Sequence, residues 1–368
     1  MGTEKISMCE QKASHKIDRQ RRHVMKGALA LSGAAVLGAP AIVLGQNRKI
    51  VTRDPGGPFT QAFNEAFYKP FKQATGITVV GLPAEAEPSG MIKAMVDAKN
   101  YQWDMAHISK STHLALAEQG YLAPIAGKNG LGANARKIPQ EMRTDFILGV
   151  DIFATVIAYR TDTVKRPPSG WKDFFDIKGY PGLRGLRKNP FDTLEEALMA
   201  DGVAPGQLYP LDVDRAFRKL NQIKRDVGVW WDNGAQSAQM LKTGEVDMLP
   251  IWNGRAQVVI DGGAPVKLVW NQAIWTYEGF SILKGGPNVD MCREFIEFCA
   301  QPRQQAIFTD YVCYGPTSPD AFQYVKPDRA PMLPNHGGRL AHMLQANSEY
   351  WGKHKDAATD RFNAWLLA

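Results

Sequence analysis

The chain has 368 residues, of which 44 are basic and 37 acidic, and its formal net charge is +7. Hydrophobic residues make up 44% of it and charged residues 22%, which is typical of a folded globular protein and excludes a disordered chain. Seven basic and three acidic residues lie within 1–46, so the rest of the chain carries 37 and 34, a net charge of +3, and no nucleic-acid partner is expected.

The first element in chain order is a predicted export signal at 1–46. Arg21 and Arg22 precede an uncharged run rich in Ala, Gly and Leu at 27–44, which is the pattern of a twin-arginine signal. Small residues on both sides of Pro40 suit a cleavage site, and we predict removal near 41–46. A permanent membrane anchor is the alternative, because about 18 residues can nearly span a bilayer. The signal predicts a periplasmic protein that meets the twin-arginine translocase during export.

Strand and helix patterns then alternate. Phenylalanines recur every four residues along 59–75, which predicts a helix with one aromatic face, and Gly76 is expected to end it. This alternation predicts parallel βαβ units in an open doubly wound sheet. Over this part of the chain we predict strands at 49–52, 77–80 and 103–108, and helices at 59–75, 91–99 and 111–118.

The pattern restarts after residue 150, which predicts an α/β fold with two lobes. Lobe 1 is predicted to contain 47–153 and 277–300, and lobe 2 to contain 154–276 and 301–368. In the second part we predict strands at 153–159, 246–252, 266–270 and 279–283, helices at 194–200, 213–225, 235–242, 255–260 and 288–300, and a mainly helical tail at 326–368.

The cysteines leave one question open. Cys292 and Cys299 are seven residues apart in a predicted helix, about 10 Å along its axis, which is too far for a disulfide. Cys299 and Cys313 can pair in an oxidising compartment, and three buried free thiols are the alternative.

Patterns that would indicate an enzyme or a metal site are absent from the sequence. It contains no Gly-x-Ser-x-Gly elbow, no phosphate-binding loop and no Gly-x-Gly-x-x-Gly after its first strand. Its seven histidines form no His-x-x-x-His or His-x-His pair that would favour zinc. We therefore expect no catalysis, no metal and no cofactor, and an exported enzyme remains an alternative because catalytic residues can be scattered in sequence.

Several short segments together carry a family resemblance. In chain order they are Thr-Gly-Ile at 75–77 between a helix and a strand, Trp-Asp-Met at 103–105, Gly-Glu-Val-Asp-Met at 244–248, Ile-Trp-Asn-Gly-Arg-Ala at 251–256, Ile-Trp-Thr-Tyr-Glu-Gly at 274–279 and Tyr-Gly-Pro-Thr at 314–317. Their order and spacing resemble the polyamine-binding (spermidine/putrescine) proteins of ABC importers. The resemblance implies a type II periplasmic-binding-protein clamp with hinge crossovers between its lobes. It further implies a monomer that captures a small solute, a polyamine or related amine, and delivers it to a membrane permease.

Carried over position by position, the resemblance implies a site that combines acidic groups with aromatic faces. Glu278 stands where the family has an aspartate, and Trp252 matches the tryptophan of a Trp-Asn-Gly motif. The implied ligand-binding residues are Ser109, Asp192, Trp252, Trp275, Thr276, Tyr277 and Glu278.

Three of these assignments stay open. Asp192 can instead cap a helix that starts at the next residue. Side chains alternate along 275–277, so the sequence does not decide which of them faces the cleft. Glu278 can be satisfied by a ligand ammonium or by Arg255.

The same sequence also supports a negatively charged or zwitterionic solute. Arg53 and the amides of Gly56 and Gly57 precede a helix start and can form an anion site. Lys110 stands where the family has an aromatic residue, and Asn189 where it has an acid. Each of these departures weakens a polycation site.

Overall fold

In the computed structural model of the protein, residues 48–84 and 88–368 are described, and the predicted export signal lies outside them. The strands are β1 Lys49–Asp54, β2 Thr78–Pro83, β3 Met105–Ser109, β4 Leu122–Ala123, β5 Leu148–Arg160, β6 Arg184–Arg187, β7 Val227–Trp231, β8 Met248–Trp252, β9 Val266–Leu283, β10 Gly315–Pro316 and β11 Leu344–Gln345. The α-helices are α1 Pro58–Phe63, α2 Lys69–Thr75, α3 Ser89–Ala98, α4 Lys110–Glu118, α5 Ala133–Lys137, α6 Trp171–Phe175, α7 Pro190–Ala200, α8 Val213–Asn221, α9 Gly234–Thr243, α10 Asn253–Asp261, α11 Val289–Cys299, α12 Pro302–Thr309 and α13 Ser348–Leu367. Within these residues, no helix has both the length and the apolar character needed to cross a membrane.

The described strands form one mixed sheet in the order β2-β1-β3-β9-β5-β8-β6-β7, with β10 beside β5 and with β4 and β11 beside β9. Strand β1 is parallel to β2 and β3, and β6 is parallel to β7 and β8. The predicted parallel strands are therefore present at both ends of the sheet. Strands β5 and β9 in the centre are antiparallel to each other, and β9 is antiparallel to β3 and β5 to β8, which makes the sheet mixed.

The two central strands take part in both ends of the sheet because they are 13 and 18 residues long. The prediction of separate strands at 266–270 and 279–283 was wrong, since β9 continues through the residues between them. At Gln272 the backbone takes a φ of 60°, and the pairing with β5 shifts register there instead of ending. A β-bulge of this kind bends a strand without breaking it.

The predicted helix at 59–75 is confirmed, with a π-helical turn at Asn64–Tyr68 between α1 and α2. Its aromatic face is buried: Phe63 lies 5.4 Å from Phe280 and 5.5 Å from Phe308 between ring centroids, and Phe71 lies 5.2 Å from Phe295. Gly76 ends the helix in the left-handed conformation with a φ of 73°, as predicted. The spacing of the phenylalanines therefore correctly predicted which face of this helix is buried.

The three cysteines of the described chain are free and buried, so the Cys299–Cys313 disulfide does not form. Burial raises the pKa of all three thiols, that of Cys313 to about 12. A thiol with a raised pKa is a poor nucleophile, and these residues act as small apolar core residues.

Close backbone approach at the centre of the sheet yields a first prediction. Gly279 of β9 pairs with Gly149 of β5, and a Cβ at Gly279 would lie 2.0 Å from the Leu148 carbonyl oxygen. Since a backbone atom cannot rotate away, Gly279→Ala should lower the free energy of unfolding by about 1–3 kcal/mol in urea titrations.

Gly352→Ala is the matched control, because a Cβ there meets nothing within 4 Å and the residue lies in helix α13. It should stabilise the protein by up to about 1 kcal/mol. Equal stability of the two variants would contradict the close packing of β5 and β9.

Candidate functional site

A cavity of about 400 Å³ lies where the strands of both ends of the sheet finish. The carboxyl ends of parallel strands are the usual ligand site of α/β sheets, because loops and helix starts converge there. In the cavity wall, Arg53, Ser109, Arg187 and Trp252 lie at the ends of β1, β3, β6 and β8, Asp232 follows β7, and β5 and β9 add Phe153, Thr276 and Glu278.

Aromatic rings form much of the wall. Phe153 stacks on Tyr314 with 5.2 Å between centroids and meets the Trp252 ring edge-on at 6.3 Å. Flat apolar faces of this kind suit the methylene groups of a solute. The aromatic residues of the lining are Phe59, Phe153, Phe191, Trp252, Tyr314 and Trp351.

Charged side chains in the wall are mainly cationic. The guanidinium of Arg187 lies 5.1 Å from the Trp252 ring centroid, and its Nη1 donates to Asp192 at 3.3 Å. Its buried Nε has no hydrogen-bond partner among the described residues. Within 48–84 and 88–368, neither Arg255 nor Lys355 forms an ion pair. The charged residues of the lining are Arg53, Arg187, Arg255 and Lys355 against Asp232 and Glu278.

The predicted anion site at Arg53 has its donors engaged within the protein. Arg53 is buried, donates from Nε and Nη2 to the Ala84 carbonyl at 2.9 and 2.6 Å, and from Nη1 to the His107 carbonyl at 2.7 Å. The Gly56 N–H donates to the Asp54 carboxylate at 2.7 Å. Gly57 approaches Arg255, whose Nη1 lies 3.5 Å from where its Cβ would be. Arg53 therefore mainly holds the loop in place.

The side chains of residues 275–278 lie alternately in the hydrophobic core and in the cavity wall. Thr276 and Glu278 line the cavity, whereas Trp275 and Tyr277 point the other way into the hydrophobic core. Alternation along β9 is the reason, since neighbouring side chains of a strand lie on opposite faces. Lys110 lies over the Tyr277 ring, 5.4 Å from its centroid, and outside the cavity wall.

Asp192 and Ser109 mainly serve the protein itself. The Asp192 carboxylate accepts from Thr155 at 2.8 Å and from Arg187, and its φ is 70°, so regular helix begins only after it. Asn189 accepts from the Phe191 N–H at 3.0 Å, ahead of that regular helix. Ser109 lines the cavity while its Oγ caps α4 by accepting from the Thr112 N–H at 3.3 Å.

Comparison with known proteins identifies the family. The family described as bacterial extracellular solute-binding protein matches residues 66–335. The chain belongs to this family. It is 31% identical to the gamma-aminobutyric acid-binding protein of Pseudomonas aeruginosa, over 94% of this chain and 97% of that protein. It is 21% identical to the spermidine/putrescine-binding periplasmic protein of Escherichia coli, over 74% and 79%.

A solved structure shows the same fold. An ABC transporter substrate-binding protein from Bradyrhizobium japonicum is 36% identical with a TM-score of 0.81, covering 87% of this chain and 99% of that one. The predicted α/β fold of periplasmic binding proteins is thereby confirmed. This solute-binding protein is a component of an ABC transporter that works with a permease, and it is not an enzyme.

Some residues of the cavity wall of this solute-binding protein were not predicted from its sequence. Arg187 and Asp232 lie at or just after strand ends, so the rule that ligands bind at the carboxyl ends of strands was the signal that could have found them. Trp351 and Lys355 come from the last helix, and their sequence carries no such signal.

Beneath Glu278 lies a buried pair of titratable groups. His107 Nε2 is 2.9 Å from Asp151 Oδ2, and both side chains are inaccessible to solvent. Burial lowers the pKa of His107 to about 4 and raises that of Asp151 well above its usual value. The imidazole is therefore neutral near pH 7, and burial favours the protonated form of Asp151, whose carboxyl can donate to it. One possible ligand atom each of His107, Asp151 and Glu278 lie within 4.8 Å of one another. His107 and Asp151 share the bond above, while His107 Nδ1 and Asp151 Oδ1 have no hydrogen-bond partner among the described residues.

A second prediction follows from this neutral pair. Asp151→Asn keeps a donor to His107 and should leave the free energy of unfolding at pH 7 within about 1 kcal/mol of wild type. Asp151→Ala leaves a buried imidazole nitrogen unpaired and should cost about 1–3 kcal/mol. Chemical denaturation of both variants measures this.

His107 also contributes a pH dependence of stability. Because the pKa of His107 falls from 6.5 to about 4 on folding, its stabilising contribution is complete above pH 6.5 and is lost as pH falls towards 4. If Asp151→Asn and Asp151→Ala lower the free energy of unfolding at pH 7 by the same amount, the pair is instead ionised.

Proposed function

We propose that this solute-binding protein captures an amino acid whose amine and carboxylate are separated by a short methylene chain, as in γ-aminobutyrate, and delivers it to its permease. The observation that carries the proposal is the excess of positive charge in the wall, where four cations face two carboxylates. Arg187 pairs with Asp192 through Nη1 while its Nε has no partner among the described residues, and Arg255 forms no ion pair there. A solute carboxylate can accept from both guanidinium groups.

The rest of the wall suits the other parts of such a solute. Glu278 and Asp232 supply negative charge for an ammonium group, and the rings of Trp252 and Phe153 supply apolar faces for methylenes. The relative that is 31% identical is named as a γ-aminobutyric acid-binding protein, which supports this class of solute.

A polyamine fits this wall less well. Four cations and two carboxylates line the cavity, so a diamine would add two positive charges to a wall that is already net positive. Two like charges 4 Å apart repel by about 4 kcal/mol at an effective dielectric constant of 20. A carboxylate in the same place gains a charge-assisted hydrogen bond of about 1.5–3 kcal/mol.

Capture is proposed to occur in the periplasm by closure of two lobes about β5 and β9, after export through the signal at 1–46. The lobes proposed from sequence are 47–153 with 277–300 and 154–276 with 301–368. One change is favoured: Phe308 of α12 stacks against Phe63 and Phe67, which supports placing 302–309 in the first lobe.

A four-carbon series tests the solute class. The purified protein is titrated calorimetrically with γ-aminobutyrate, putrescine, butyrate and succinate, which differ only in their end groups. γ-Aminobutyrate should bind most tightly, because it alone presents one ammonium and one carboxylate. A solute at one hundred times its Kd should also raise the apparent stability by about 2.7 kcal/mol in thermal unfolding.

The other solutes decide between the alternatives. Binding of putrescine in preference to γ-aminobutyrate would overturn the proposal in favour of a polyamine. Preference for succinate would instead indicate a diacid site.

Single substitutions in the wall test the carboxylate contact. Arg187→Gln and Arg255→Gln should each raise the Kd for γ-aminobutyrate about 10- to 100-fold, since each removes a charge-assisted hydrogen bond. Arg218→Gln is the control, because Arg218 is exposed on α8 away from the cavity. An unchanged Kd in both wall variants would show that the carboxylate binds elsewhere.

A further inference from the structure

Helix α13 forms part of the cavity wall although it is the last element of the chain. Trp351 and Lys355 are four residues apart, so they lie on the same face of the helix, and both line the cavity. The Trp351 ring packs 5.2 Å from Phe191, another wall residue, between centroids. The position of α13 therefore determines the shape and charge of this side of the cavity.

One buried carboxylate oxygen holds the start of this helix. Trp351 Nε1 donates to Glu195 Oε1 at 2.6 Å, and the Tyr209 hydroxyl donates to the same oxygen at 2.7 Å. Tyr209 Oη in turn accepts from the Asn347 N–H at 3.1 Å. Asn347 caps α13 by accepting from the Tyr350 N–H at 2.9 Å. Glu195 thus holds both the wall residue Trp351 and the cap of its helix.

Burying the Glu195 carboxyl group at this position is unfavourable unless its bonds to Trp351 and Tyr209 compensate for the cost. It is fully buried, forms no ion pair among the described residues, and its Oε2 has no hydrogen-bond partner there. Burial and the carboxylate of Asp192 raise its pKa to about 7, while the bonds from Tyr209 and Trp351 lower it. Burying a carboxyl group costs free energy that an apolar residue would avoid.

We propose that Glu195 is a positioning residue for the solute site: through Trp351 and Tyr209 it holds α13 so that Trp351 and Lys355 complete the cavity wall. Glu195 itself does not line the cavity. The proposal rests on the proposed function only in taking this cavity as the place where the solute binds.

Glu196 supplies a matched control. It follows Glu195 in α7 and is equally buried, but neither of its carboxyl oxygens has a hydrogen-bond partner among the described residues. Glu195→Leu and Glu196→Leu therefore make the same chemical change one residue apart, and only the first removes a bond to α13.

Two measurements on the full-length protein separate the proposal from the proposed function. Amide hydrogen exchange of 348–367 without solute reports how firmly α13 is held, whatever the solute is. We expect faster exchange in Glu195→Leu and wild-type exchange in Glu196→Leu. The Kd for γ-aminobutyrate should rise about 10-fold in Glu195→Leu, equivalent to about 1.4 kcal/mol, and stay near wild type in Glu196→Leu.

Further variants exclude a general loss of stability. Glu195→Gln keeps an acceptor oxygen for Trp351 and should restore both exchange and affinity to near wild type. Trp351→Phe should raise the Kd by a similar factor, and combining it with Glu195→Leu should add little, because both remove the same bond.

The proposal is overturned if Glu195→Leu matches Glu196→Leu in both measurements, or if exchange in α13 rises while the Kd stays unchanged. It is also overturned if Glu195→Gln fails to restore affinity. If none of the four-carbon solutes binds wild type, the proposed function fails, and the exchange of 348–367 alone decides whether Glu195 holds the helix.

Discussion

The pairing of β5 with β9 is the constraint on which the rest of the structure depends. The two strands approach so closely where Gly149 pairs with Gly279 that a Cβ at Gly279 would collide with the Leu148 carbonyl oxygen of β5. Further along the same pair, Phe153 and Thr276 are register partners and both line the cavity. A slip of one residue in β9 would turn Thr276 into the core, because side chains alternate along a strand. Backbone packing therefore selects the side chains that meet the solute.

Charges in the wall and charges behind it are in different environments. Asp151, Asp192, Glu195 and Glu196 are fully buried, and burial raises the pKa of each. A protonated carboxyl group is cheaper to bury than an ionised one, so burial favours the neutral form of all four. The charged side chains that line the cavity are mostly cationic. This distribution supports the proposal of a solute that carries a carboxylate.

Local patterns predicted the elements better than the site. The phenylalanine spacing at 59–71 and the stop at Gly76 depend on neighbours in sequence, and both predictions are confirmed. Thr276 and Glu278 could be placed near a cleft by resemblance, but choosing Thr276 over its neighbours required the register of β9 against β5. Trp351, which lines the cavity, donates to Glu195, 156 residues away in the chain. Long-range contacts of this kind leave no periodic signal in sequence.

The arginines also explain how one fold can serve different solutes. A diamine and an ω-amino acid share an ammonium end and a methylene chain, so in the proposed site Glu278 and the aromatic rings would contact both in the same way. In the proposed site the two solutes differ at the end placed beside Arg187 and Arg255, where a repulsion of about 4 kcal/mol at 4 Å would replace an attraction of about 1.5–3 kcal/mol. The resulting difference of about 5–7 kcal/mol would correspond to a preference on the order of 10⁴ or more. A methylene group in an apolar pocket contributes only about 1–3 kcal/mol to selectivity. Under the proposed function, solute class in this cavity is thus set by the charge of a few side chains at strand ends, while the aromatic wall and the central strands stay the same.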